Sequence, residues 1–211
     1  MPERYLRIIV KLVRNPRAMF SLSTAVFRGL FYICLFRIIQ RNTRIKFPFI
    51  CHAKVEISGP GKVFIDRGCS VWMNTFEHLV IKTLSPEAEV KIGKNCTLGG
   101  LTIRCRGKIF IGENVLTAAN LIQDVMIVSR APFPSTENNT ESALSIRIGN
   151  NVWLGGQSLV LAGSSLGDGS VAGVNGLIYH TAVKDNCLVA GNPAMRPVPI
   201  DKIAKLQGSP G

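Results

Sequence analysis

Between Ile148 and Val183 the chain repeats one pattern of apolar, glycine and small polar positions every six residues. Position one of each hexad reads Ile148, Leu154, Val160, Leu166, Ala172, Ile178; position two reads Gly149, Gly155, Leu161, Gly167, Gly173, Tyr179. Position five reads Val152, Ser158, Ser164, Ser170, Gly176, Ala182. A period of six matches neither the 3.6-residue stripe of an amphipathic helix nor the strict alternation of a half-buried strand. It predicts one short strand and one turn per hexad.

Three such hexads close a triangular coil, so the pattern predicts an all-β parallel β-helix. The aliphatic first position points inward and stacks on its copy eighteen residues later. Position five faces inward at a tight corner, where only Ser, Ala, Gly or Val fits. One coil cannot bury its own inner face, and stacking of neighbours supplies the core. Upstream, Val63–Cys69, Val90–Cys96, Ile109–Val115 and Ile146–Val152 are looser versions of one element. The 37 residues from Ile111 to Ile148 exceed one coil, and the excess is expected in a polar, proline-bearing loop at Ala131–Ser142. Residues 53–195 are read as one β-helix domain.

Charge changes the picture at the N-terminus. The formal charge is +12. Residues 1–47 hold ten Lys/Arg against Glu3 alone, which is +9 and leaves +3 for the rest. Arg4, Arg7, Lys11 and Arg14 share one helical face, and Asn15-Pro16 reads as an N-cap followed by first-turn proline. Met19–Ile39 is long and apolar, but Arg28 lies near its centre, where insertion costs about 2.5–3.5 kcal/mol. Residues 1–47 are therefore expected to form a basic amphipathic helical segment, with membrane-surface contact through residues 1–45. A core-packing or trimer-packing helix and a true span are the alternatives. The arginines alternate with long aliphatic runs, which argues against nucleic acid. Residues 196–211 read as a C-terminal tail.

Six cysteines are scattered without metal-ligand spacing, and Cys69 and Cys96 fall in the small inward slot. That usage suits reduced thiols in a cytoplasmic setting. Three histidines, His52, His78 and His180, stand in unrelated contexts, so no metal site is expected.

The stretches Ile148-Gly-Asn-Asn-Val-Trp-Leu-Gly-Gly156, Leu166-Gly-Asp-Gly-Ser170 and Leu188-Val-Ala-Gly-Asn-Pro-Ala194 resemble the hexapeptide-repeat acyltransferases. More narrowly, they are similar to bacterial O-acetyltransferases of polysaccharides and small sugars. The resemblance covers roughly residues 88–197. It implies left-handed coils, a homotrimer, and acetyl-CoA as co-substrate in the groove between neighbouring prisms. On this resemblance Trp153 lies beside the cofactor, and Asn192-Pro193 ends the coil with Arg196 near the CoA phosphates. Gly155, Gly156 and Gly173 would let the pantetheine arm approach the backbone. His180 stands where the family usually has a phosphate-holding lysine, and Lys184 is the alternative cation.

Acetyl transfer to a hydroxyl needs a group that accepts the hydroxyl proton. The family's histidine is expected one coil before Trp153, and here Val128 or Ser129 falls in its place. Asp124 and His180 are the remaining catalytic candidates. The resulting expectation is an acetyl-CoA-dependent O-acetyltransferase acting on a glycan or lipid-linked oligosaccharide, a precursor of capsule or O-antigen. Its place would be the cytoplasmic face of a bacterial inner membrane, reached through the basic N-terminus. The alternative is a β-helix protein without efficient turnover that serves as a scaffolding subunit of a polysaccharide-assembly complex.

Overall fold

A computed structural model describes residues 16–72, 78–125 and 145–207. After helix α1 (Pro16–Ile39), twenty short strands wind into a left-handed parallel β-helix of about six turns. The first two coils are β1 (Thr43–Ile45), β2 (Phe49–Cys51), β3 (Val55–Ser58) and β4 (Lys62–Ile65), β5 (Cys69–Trp72), β6 (Leu79–Thr83). The next two are β7 (Glu89–Ile92), β8 (Thr97–Gly99), β9 (Thr102–Cys105) and β10 (Lys108–Ile111), β11 (Leu116–Ala118), β12 (Leu121–Gln123). Then come β13 (Ile146–Ile148), β14 (Trp153–Leu154), β15 (Leu159–Leu161) and β16 (Ser165–Leu166), β17 (Val171–Ala172), β18 (Leu177–Ile178). A last partial coil has β19 (Ala182–Val183) and β20 (Cys187–Val189). Every third strand pairs in parallel, giving sheet A from β1, sheet B from β2 and sheet C from β3.

The inward positions follow the hexads. Ile148, Leu154, Val160, Leu166, Ala172 and Ile178 are all buried, and Ile92, Ile111 and Ile148 stack directly through the β7–β10–β13 pairing. The 37-residue interval is therefore one coil with an insertion at the C–A edge; residues 126–144, including Ala131–Ser142, Val128 and Ser129, lie outside the described residues. Val152, Ser158, Ser164, Ser170 and Gly176 fill the expected corner slot. Ala182 does not, because the turn Tyr179–Thr181 is one residue short: Leu166 pairs with Val183, which points inward in its place. From the second coil onward the A–B edge turns through a left-handed residue. Asn95, Asn114, Asn151 and Asn186 hold φ between 52° and 57°, a conformation asparagine tolerates better than most residues.

The β-helix begins at Thr43, ten residues before the expected boundary, so part of the basic segment belongs to the first coil. Its strands are joined by Lys46-Phe47-Pro48, not by a glycine-bearing turn, which hides the period. Helix α1 closes the open end of this coil. Ala25 and Phe36 are buried, Tyr32 and Ile33 pack on the core, and Gly29 lies against the Phe49 carbonyl. Side chains from α1 and the residue after it also satisfy backbone groups of the coil. Arg28 donates to the His52 carbonyl (3.1 Å), Gln40 donates to the Ile57 carbonyl (2.8 Å), and Tyr32 Oη accepts from Val55 N–H (3.2 Å). At the far end, the tail contains structure: β21 (Val198–Pro199) pairs antiparallel with β20 and leads into α2 (Ile200–Gln207).

A Cβ at Gly29 would stand 1.7 Å from the Phe49 oxygen, so the helix cannot keep its seat in a Gly29→Ala variant. Limited proteolysis is expected to release α1 from that variant while its β-sheet circular dichroism persists.

Candidate functional site

The B–C edge of the last coils gathers most of the expected cofactor residues. Trp153 faces outward from β14 and is 51 % exposed, in register with Leu116, Val171 and Leu188 on sheet B. The chain then turns at Gly155-Gly156, at Gly173 one coil on, and at Gly191–Ala194 one coil further. These turns stack through Gly155 N–H to the Ala172 carbonyl (2.8 Å), Gly173 N–H to the Val189 carbonyl (2.7 Å) and Leu177 N–H to the Gly191 carbonyl (2.9 Å). Asn192 and Pro193 are exposed at the end of this column, and Arg196 is exposed just beyond.

The glycines of this edge differ in what they answer to. A Cβ at Gly155 would meet the Ala172 carbonyl at 2.7 Å, and one at Gly173 the Ala190 Cβ at 2.7 Å, so neighbouring coils demand both. At Gly156 the nearest atom would be the Ala118 oxygen at 3.8 Å, and φ is not positive. The chain's own packing does not require glycine there; what the missing side chain leaves is bare backbone beside Trp153, suited to close approach by a ligand.

Asn120 was not singled out from the sequence. It is buried, donating to the Gly155 carbonyl (2.7 Å) and to Ser158 Oγ (2.8 Å), and so fixes the turn that carries Gly156. A polar residue in a slot the repeat reserves for buried groups is the signal that marks it.

The remaining candidates sit elsewhere. Lys184 is exposed at the A–B edge and His180, with φ of 45°, is exposed at the C–A edge. Within one chain neither shares the edge of Trp153. Asp124 is fully enclosed at the C–A corner, where its carboxylate accepts Arg106 N–H and Gly107 N–H, each at 2.7 Å. Cys105 Sγ lies 3.5 Å from the same carboxylate. Burial and then the Asp124 charge push the Cys105 thiol up. This geometry does not fit the expectation that Asp124 receives a hydroxyl proton: its oxygens are committed to a turn and closed to an acceptor. The hexad ruler gave its place along the chain but not the direction of its side chain. His52 is half-buried, stacked on Trp72 at 4.4 Å, and its Nε2 has no partner among the described residues. Burial, then the nearby Arg28 charge, hold its pKa below the usual value. Among the described residues no cluster of His, Cys, Asp and Glu could hold a metal ion.

No protein-family model matches the chain. Among curated proteins it is 35% identical over 109 residues to a Schizosaccharomyces pombe protein named as an acetyltransferase (52% of this chain, 48% of that protein). It is 32% identical over 108 residues to the galactoside O-acetyltransferase of Escherichia coli K12 (50% and 52%). The chain thus spans about half the length of these relatives. Among solved structures, the polySia-specific acetyltransferase NeuO superposes with a TM-score of 0.52 at 21% identity, covering 74% of this chain and 70% of that one. A mutant of AntD, an N-acyltransferase from Bacillus cereus in complex with dTDP and coenzyme A, gives 0.53 at 15% identity (76% and 85%). These structural likenesses establish the fold. In sequence and fold together, the chain resembles the hexapeptide-repeat acyltransferases.

Two substitutions separate the structural positions from the open one. Asp124→Ala leaves the partly buried Arg106 and Gly107 N–H groups without their acceptor and is expected to cost about 1–3 kcal/mol in urea unfolding. Gly156→Ala is expected to stay within about 0.5 kcal/mol of the parent.

Proposed function

We propose that the protein is an acetyl-CoA-dependent O-acetyltransferase that acetylates a sugar hydroxyl of a cell-surface polysaccharide precursor. The observation that carries this reading is the B–C edge: exposed Trp153 beside bare backbone at Gly156, continued by Gly173 and closed by Asn192-Pro193. Thioester and pantetheine would lie along this column, with Arg196 at the phosphate end. The galactoside O-acetyltransferase among the relatives, and a lipopolysaccharide-biosynthesis O-acetyl transferase 26% identical over 139 residues, support a sugar acceptor.

The outer faces favour a homotrimer. Leu116, Trp153, Val171 and Leu188 on sheet B, and Leu121, Leu159 and Leu177 on sheet C, present apolar columns in the later coils. Packing these columns between three prisms would bring a neighbour's edge to the Trp153 edge. His180 or Lys184 would then enter the site from another subunit, with His180 accepting the hydroxyl proton. A second reading, a scaffolding subunit without turnover, is favoured by the enclosure of Asp124.

The assay that decides is CoA release from acetyl-CoA with and without free or lipid-linked oligosaccharides. Release is expected only with a glycan acceptor, and His180→Gln is expected to lower kcat by about 10²–10⁴-fold. Release at the blank rate with every acceptor rejects the catalytic reading.

Membrane contact belongs to the same proposal. Helix α1 contains a stretch, Met19–Ile39, long and apolar enough to cross a bilayer, with mean hydropathy 1.6. One face, however, is seated on the first coil through Ala25, Gly29 and Phe36, while Phe20, Phe27, Phe31 and Ile38 face outward beside exposed Arg17, Arg37 and Arg41. A helix clamped along one side lies on a bilayer instead of threading it, and the arginines suit the anionic cytoplasmic leaflet. Flotation with vesicles containing phosphatidylglycerol is expected to recover the parent protein. The Phe27→Ser/Phe31→Ser variant is expected to remain in the unbound fraction.

A further inference from the structure

The outer face of sheet A carries a feature with no place in the acetyl-CoA edge. Its outward residues stand in one column by strand register: Arg44 pairs with Phe64, Phe64 with Lys91, Lys91 with Phe110, and Phe110 with Arg147. Cation and aromatic ring alternate over five adjacent strands, although the residues span more than a hundred positions of sequence. Lys91 Nζ lies 6.0 Å from the Phe64 ring centre and 5.4 Å from that of Phe110, and Arg147 Cζ lies 5.5 Å from Phe110. The half-buried rings hold these cations over the sheet by attraction to their π faces. Arg37 on α1 and Arg41 just after it extend the column at the α1 end, and all of these residues line one groove of about 1090 Å³.

We propose that this groove is a binding track for an extended acidic glycan, a sugar chain bearing carboxylates along its length. The inference rests on the reading of the protein as a polysaccharide O-acetyltransferase and names the charge class of its acceptor.

The spacing suits a polymer. Adjacent strands lie about 4.8 Å apart, so Arg44, Lys91 and Arg147 recur roughly every 10 Å over about 19 Å. A single small anion would use one of these cations; a chain with repeated carboxylates uses them in sequence. Lys91 is shared with Glu89 at 2.7 Å, whereas Arg37, Arg41, Arg44 and Arg147 have no ion-pair partner among the described residues. Arginine's planar fork matches a carboxylate through two parallel bonds. Along the A–B bank of the groove stand Asp66, Asp168 and Asp185. Asp66 is paired with Lys46 at 3.2 Å, and Asp168 accepts from Asn150 N–H at 2.7 Å. With Asp66 paired, the charge that would repel a polyanion from this bank is that of Asp168 and Asp185, on the coils beyond Arg147. A nucleic-acid strand fits less well, because the ring faces that would stack bases already carry cations. The charged face is also an unsuitable trimer contact, since burying it would strip water from several cations.

The test measures glycan binding by the full chain without acetyl-CoA, using galacturonic acid oligomers and maltodextrin of equal length. Acidic oligomers are expected to bind with an affinity that falls as salt rises, and maltodextrin is expected not to bind. Arg44→Glu with Arg147→Glu should weaken acidic binding at least roughly tenfold, with an unchanged melting curve; Arg147→Lys, which keeps charge but loses the fork, should fall between. Equal binding of both oligomers overturns the proposal, as does an unaffected charge-reversal variant. Loss of phosphatidylglycerol vesicle binding with intact glycan binding overturns it too, since the column would then serve a lipid surface. The two readings fail separately. Acidic binding without CoA release rejects the enzyme, and turnover of a neutral acceptor without acidic binding rejects the track.

Discussion

Everything in this molecule depends on the stacking of inward aliphatic side chains from one coil onto the next. A coil of about eighteen residues has three short sides and no interior of its own, so the core exists only between coils. Irregularities must therefore be absorbed at corners. The insertion between β12 and β13 leaves Ile111 directly beneath Ile148, and the shortened turn at Tyr179–Thr181 turns Ala182 outward to keep Val183 over Leu166. Corners tolerate such changes because they face solvent, whereas a slip within a strand would turn its apolar residues outward.

This constraint explains what could be read in advance. The hexads from Ile148 expose the fold because stacking imposes the same demand at each copy, and they place Trp153, Gly155 and Gly173 on one edge. They are silent where demand is not repeated. Thr43–Cys51 forms strands without the glycine-bearing turn, so the coil start was not visible. Asp124 was located by counting, but its orientation depends on the Arg106 and Gly107 amides, eighteen and seventeen residues away. The glycines show the same limit. Three of them look alike as letters, and only the surroundings distinguish Gly156, which its neighbours leave free, from Gly155 and Gly173.

The three outer faces divide the remaining surface by chemistry. Sheets B and C carry aliphatic columns and Trp153 in the later coils, while sheet A carries Arg44, Lys91 and Arg147 between phenylalanine rings. Net charge by segment conceals this. Residues 48–211 are only +3 overall, yet two of their cations align with arginines of the N-terminal segment to make one positive stripe. A prism lets residues far apart in sequence form a single row, because the row runs across the strands and not along them.

The two ends of the prism are closed by unlike devices: α1 with its side-chain bonds to β3 and to the His52 carbonyl, and β21 folded back on β20. A repeat that stacks on itself has no built-in stopping point, and its bare terminal edges would accept another copy as readily as another coil. At the far end the cover is partial: β21 takes the β20 edge of sheet B and leaves β18 and β19 as the last strands of sheets C and A. Cover against end-to-end stacking thus comes from two elements that contribute nothing to the repeat itself.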